Sequence, residues 1–350
     1  MPHSARTLIT LVDGTTPGRR LIPAKPSLRA ALSGLCLVFV LFLIWRLMEP
    51  VNPLNAEIAP AQTASSVAAL YSATSFWNTP IAATAATDPN SSAIIASAIA
   101  AYASGAVLSN DNAWGMGYTY ADAGSKTYTV ACTMYCGSST MVFPIPAGAL
   151  ASTGSDHHLA VINGNQEMDM WEASYDARND SWKASTITTT SIHGWGANCA
   201  PGQHCVGTVA AGFAMLGGSV RPEEIAQGHI DHALALMTPA TKSGYIACPA
   251  TNTDGASSNA NAIPEGALIQ LDPAFNVDGQ SWPAWEKTIA RALQSYGAYV
   301  VDTGGAMSLY GVTDMNRGNV TWSSVGMTKA PSLSNLPWSS FRVLQIHSCN

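Results

Sequence analysis

The stretch His158-Leu159-Ala160-Val161-Ile162-Asn163-Gly164-Asn165-Gln166-Glu167-Met168-Asp169-Met170-Trp171-Glu172-Ala173-Ser174 reads as a β-hairpin. Its first arm, 158–162, is apolar and rich in β-branched residues. Asn163-Gly164-Asn165 is the turn, because Asn and Gly accept the positive φ that tight hairpin loops require. The second arm alternates acids with methionines. On a regular strand Glu167, Asp169 and Trp171 share one face, and Glu172 points the other way. A one-residue bulge at Met170-Trp171 would return Glu172 to the first face, and bulges are frequent beside active sites. Three acids gathered on one face suit glycoside hydrolysis, in which retaining enzymes hold two carboxyl groups ~5–5.5 Å apart. Asp169, between the two glutamates, would push their pKa values apart, so that one attacks and the other donates a proton.

Short segments of the same kind surround this hairpin. The spacing of apolar and Thr-rich residues predicts strands within 113–146 and over 182–190, 229–237, 267–271, 298–302 and 307–310. On the 229–237 strand Ile230, His232, Leu234 and Leu236 would share a face. Helices are expected over 91–105, 221–227 and 283–296, stopped at Gly105, Gly228 and Gly297. Many strands with few helices imply a mainly β fold, a jelly-roll-like β-sandwich with a few short helices, over 71–350.

The chain ahead of that domain differs in character. Residues 1–29 carry the bases Arg6, Arg19, Arg20, Lys25 and Arg29 against one acid, Asp13. Residues 30–48 are mostly apolar and approach the ~20 residues that span a bilayer as a helix. The positive-inside rule then places the basic tail in the cytoplasm and the domain outside. Residues 49–70 are rich in Pro, Ala, Ser and Thr and read as a tether. A single-pass membrane protein is expected; a cleaved signal peptide, cut at Ala59-Pro60-Ala61, is the alternative.

From residue 56 onward there are twenty acids and ten bases. That balance argues against nucleic acid, whose phosphates need a basic surface, and against strongly anionic glycans. Six of the seven cysteines lie beyond the apolar segment. An even number outside the membrane suggests disulfides, with Cys132–Cys136, Cys199–Cys205 and Cys248–Cys349 as the natural pairing. Neither local pair has C-x-x-C spacing, so no metal site is expected.

Histidines supply other candidates. His158, with Asp231 or His232 from an adjacent strand, could form an acid–base pair. His229 and His232 fall on opposite faces of a strand, which disfavours a shared metal. His193-Gly194-Trp195-Gly196 lies in a Gly-rich loop and could line a cleft, with Trp195 and Trp171 as ring faces for sugar.

Two resemblances add to this reading. Residues 167–173, reading EMDMWEA, resemble the E-x-D-x-x-E catalytic strand of the jelly-roll endoglucanase clan, which includes the laminarinase and lichenase family and the fungal cellobiohydrolase family. The resemblance implies Glu167 as nucleophile, Asp169 as its partner and Glu172 as acid/base. Ser155-Asp156-His157-His158, Val220-Arg221-Pro222-Glu223-Glu224-Ile225, Gly228-His229-Ile230-Asp231-His232-Ala233-Leu234 and the 296–302 segment are together similar to a family of secreted actinobacterial proteins without an assigned activity. That similarity spans roughly 75–312. The expectation is a retaining glycoside hydrolase acting on a neutral polysaccharide, monomeric and without a cofactor. Trp171, His193, Trp195, His158 and His232 would contact the sugar. A non-catalytic polysaccharide-binding or envelope structural domain is the alternative, and a His/Tyr polysaccharide lyase is a third.

Overall fold

In a computed structural model of the chain, the described residues are 67–200, 202–315 and 320–349. The basic tail, the expected membrane segment and nearly all of the tether lie outside them. Among the described residues no helix is long and apolar enough to cross a membrane.

The domain is mainly β, with several sheets and few helices. The largest sheet has six strands, in the order Val107–Ser109, Ser308–Tyr310, Leu234–Thr238, Ala298–Thr303, Leu268–Leu271 and Phe341–Val343. A four-stranded central sheet holds Tyr118–Tyr120, Leu159–Asn163, Gln166–Trp171 and Thr186–Ser191. A second four-stranded sheet holds Thr140–Ile145, Lys126–Cys132, Ser181–Ala184 and Ser174–Asp176. Thr241–Ile246 and Ile263–Glu265 form a short pair.

The jelly-roll expectation does not describe these sheets. A jelly roll packs two antiparallel Greek-key sheets. Here Val107–Ser109 runs parallel to Ser308–Tyr310, Leu234–Thr238 to Ala298–Thr303, and Tyr118–Tyr120 to Leu159–Asn163. Hairpin signals mark antiparallel neighbours close in sequence. Parallel partners need long crossovers, and no local residue pattern marks them.

The inner hairpin of the central sheet is buried on both faces. Leu159, Val161, Met168 and Met170 belong to a smaller core shared with Val130, Phe143 and Trp182 of the second four-stranded sheet. Ala160 and Ile162, one residue out of phase, belong to the main core. The hairpin forms as expected, with Asn163 opposite Gln166 and Gly164 at φ +55°. The pairing of Gln166–Trp171 with both neighbours runs without a register shift, so the expected bulge at Met170-Trp171 is not formed.

Two other expected strands are shorter than their patterns. The 182–190 segment splits into Ser181–Ala184 and Thr186–Ser191, which belong to different sheets. Ser185, at the crossing, gives its N–H to the Trp171 carbonyl. The 229–237 strand begins only at Leu234, because His229 to His232 run as irregular chain. The 221–227 helix is Pro222–Gln227, opened by a capping box on Glu224 and ended by Gly228 at φ +83°. Among the described residues Ala284–Ser295 is the longest helix; it buries Ile289, Ala292 and Leu293 against the six-stranded sheet. The 91–105 segment changes geometry along its length, from α over Ser91–Ile94 to π over Ile95–Ile99 and 3-10 over Ala100–Gly105.

All three expected disulfides are present, Cys132–Cys136, Cys199–Cys205 and Cys248–Cys349. The last closes 101 residues of chain and ties down the C-terminus. In a chain-entropy account a loop of that length contributes roughly 4–5 kcal/mol.

Candidate functional site

The acids of the 167–172 strand do not form an open constellation. Glu167 and Asp169 are fully buried. Tyr71 Oη donates to Glu167 Oε2 at 2.8 Å, and the Leu216 N–H donates to Oε1 at 3.1 Å. The Met215 N–H donates to Asp169 Oδ2 at 3.0 Å. The loop around Met215 therefore closes over the face on which the carboxyl groups lie. Burial raises the pKa of both; Asp169, with the Glu167 charge beside it, is held well above the usual carboxylate range. Glu172 stands apart. It sits at φ +52°, accepts a hydrogen bond from Ser185 Oγ, and is half-buried. The alternation of acid and methionine marks a strand with two buried faces, one of them lined by a structural polar network.

That network makes stability depend on pH. A carboxyl group whose pKa is raised in the folded state contributes stability that is fully present below its unfolded pKa and lost as pH rises. Glu167 and Asp169 therefore destabilise the fold as pH rises above the usual carboxylate range. The thermal midpoint is expected to fall with that rise, and Asp169→Asn should flatten the decline. A midpoint that rises with pH in the wild type would contradict the buried pair.

The large opening of the domain lies elsewhere. A cavity of about 910 Å³ is formed where the carboxyl ends of the parallel strands Leu234–Thr238 and Ala298–Thr303 meet several loops. Trp114, Tyr135 and Trp171 contribute aromatic walls. Trp114 and Tyr135 are strongly exposed, and the Tyr135 and Trp171 rings lie 6.2 Å apart at an interplanar angle of 32°. The acids that line it are Asp156, Asp254 and Asp302. No Lys or Arg is among its described lining residues.

Asp254 and Asp302 come together there with the buried Glu265. One carboxylate oxygen from each lies within 4.8 Å of the others. Tyr310 Oη donates to Asp302 Oδ2 at 2.9 Å. Thr303 Oγ1 sits 2.5 Å from Asp254 Oδ1 and 3.5 Å from Glu265 Oε1. Burial, then the Asp254 charge, pushes Asp302 up to about 7 despite the Tyr310 hydrogen bond. Burial, then Asp254, pushes Glu265 up to about 10, so Glu265 carries a proton at neutral pH. Asp302 is thereby poised to exchange a proton near neutrality. The three oxygens are also hard donors of the kind that calcium or magnesium accepts.

The remaining expected residues divide between this cavity and other places. Trp171 and His158 line it. His158 is buried, its Nδ1 has no hydrogen-bond partner, and burial lowers its pKa to about 4. Its neighbouring acid is Asp156, not Asp231, which pairs with His229 at 3.3 Å. His232 pairs with the buried Glu224 at 3.0 Å, beside Arg221, and is not at the cavity. Burial raises Glu224, but His232 and Arg221 outweigh it and hold its carboxyl at about 2. His193 is exposed and meets Asn165 Oδ1 at 3.1 Å. Trp195 packs edge-on against Phe76 at 5.4 Å. Neither lines the cavity.

Asp254, Glu265 and Asp302 were not singled out by residue pattern. One signal was present. Asp302 closes the apolar run Ala298-Tyr299-Val300-Val301 and is followed, one residue later, by Gly304-Gly305. An acid at the carboxyl end of a buried strand, ahead of a glycine turn, is where open sheets place ligands. The chain matches no known family model, no curated protein and no solved structure.

Proposed function

We propose that the domain is a glycoside hydrolase acting on polysaccharide outside the cytoplasm, with its chemistry at Asp254 and Asp302. The observation that carries this reading is a carboxyl pair, oxygens no more than 4.8 Å apart, lining an aromatic-walled cleft. The pair is close enough to serve as the nucleophile and acid/base of a retaining mechanism, which stand ~5–5.5 Å apart. Asp302 is the acid/base: it is protonated in part near pH 7 and can give its proton to the leaving oxygen. Asp254 is the nucleophile. Glu265, neutral beside it, stands in the role expected of Asp169. Trp114, Tyr135 and Trp171 offer ring faces on which sugars stack. The disulfides support an oxidising compartment, and the 30–48 anchor would hold the domain at the outer membrane face.

The test is release of reducing ends from a panel of polysaccharides by the full-length chain in detergent. Product from at least one glycan is expected. Tight binding to a glycan without product from any would replace hydrolysis by a binding role. Two arms locate the chemistry. Glu172→Gln should leave turnover within a few-fold of wild type, because Glu172 is held by Ser185 and does not line the cleft. Addition of a chelator should leave turnover intact if Asp254 and Asp302 act by proton transfer and attack.

A further inference from the structure

The cleft holds one carboxylate more than hydrolysis requires. Asp156 lines it, half-buried, on the loop ahead of Leu159–Asn163. Its side chain meets Ser155 Oγ at 3.3 Å, and no cation pairs with it among the described residues. Its charge reaches His158, Asp302 and Tyr310, which places it with Asp302 in the cleft. Beside it stands His158, 5 % exposed, with Nδ1 unpartnered. A neutral imidazole gives Asp156 no positive charge. Two carboxyl groups suffice to cleave a neutral glycan. A third, unpaired and flanked by other acids in a concave site, focuses negative potential where the substrate lies.

We infer that the cleft selects glycans carrying free amino groups, with Asp156 pairing the ammonium of a 2-amino sugar and the aromatic walls receiving neighbouring rings. This rests on the hydrolase reading for its catalytic consequence, but not for its binding consequence. The ammonium supplies the counter-charge that the protein omits. Truncation of the positive group leaves Asp156 facing like charges in a partly desolvated site. The exposed ring faces of Trp114 and Tyr135 add cation–π attraction, which a neutral sugar lacks. A polyuronate is repelled by the same field.

The experiment compares three oligosaccharides of equal length with the full-length protein in detergent. They are fully deacetylated chito-oligosaccharide, its N-acetylated form, and a glucose oligomer. Reducing-end release and calorimetric binding are both measured, at mildly acidic pH and at low and high salt. The deacetylated oligomer should be preferred by about tenfold or more, the equivalent of ~1.4 kcal/mol. High salt should shrink that preference, because partly exposed charges are screened. Asp156→Asn should lower the ratio between deacetylated and N-acetylated substrates. Equal or faster cleavage of the neutral oligomers overturns the inference and leaves the hydrolase reading standing. Preferential binding of the deacetylated oligomer, with no cleavage of any, upholds the inference and overturns the hydrolase. Absence of both selective binding and selective cleavage overturns the inference. A preference that survives Asp156→Asn unchanged removes Asp156 from the role.

Discussion

Asp302→Asn is expected to slow reducing-end release from unactivated polysaccharide by about 10²–10⁴-fold, the usual cost of losing a positioned acid or base. Asparagine keeps the size of the side chain and can still accept the Tyr310 hydrogen bond, so the fold should persist. The variant should regain much of its rate for bond cleavage on an aryl glycoside whose leaving group needs no proton. That recovery separates lost proton donation from a lost fold or a lost binding site. The pH profile makes the same point in the wild type. Asp302 must carry its proton to donate it, and its pKa is about 7. Turnover should therefore decline above about pH 7. Wild-type rates in Asp302→Asn on unactivated glycan would remove Asp302 from the chemistry.

Trp77→Ala is expected to cost about 3–5 kcal/mol in unfolding free energy, the range for truncating a buried aromatic residue. Trp77 is 1 % exposed and stands at the centre of an aromatic cluster. Its ring centroid lies 4.8 Å from Phe76, 5.3 Å from Phe213 and 5.5 Å from Tyr299. Its Nε1–H donates to the Gly196 carbonyl at 3.0 Å. Gly217 packs flat on the ring, where an added Cβ would come within 2.5 Å of it. Chemical denaturation of the full-length chain measures the effect. A loss under about 1 kcal/mol, typical of an ordinary substitution, would mean that this cluster relaxes around the gap.

The two predictions bear differently on what could be read from residues alone. Phe76 and Trp77 are adjacent in the sequence, but the other partners of Trp77 come from residues 196, 213 and 299. Glu167 and Asp169 are the sharper lesson. Three acids in six residues look like exposed catalytic groups, because charge is costly to bury and strand alternation normally turns polar residues outward. That inference assumes one solvated face. The central sheet has none at this strand, and the cost of burial is met by Tyr71, Met215 and Leu216, from segments 96, 46 and 49 residues away. Conversely, Asp254, Glu265 and Asp302 are isolated acids in three separate segments. No spacing relates them until the Ile263–Glu265 and Ala298–Thr303 strands are set side by side.

Local chemistry was enough for the features that depend on near neighbours. The Asn163-Gly164 turn, the Pro222 and Gly228 ends of a short helix, the helix before Gly297 and the mainly β character follow from backbone preferences of residues within a few positions. The cysteine pairing follows from short spacing for two bonds and from elimination for the third. Tertiary structure alone decided which strands run parallel, that both faces of 166–171 are covered, and which carboxyl groups share a cleft. Those outcomes depend on contacts across tens to hundreds of residues. Burial there shifts the proton affinity of an acid by several orders of magnitude without changing a letter of the sequence around it.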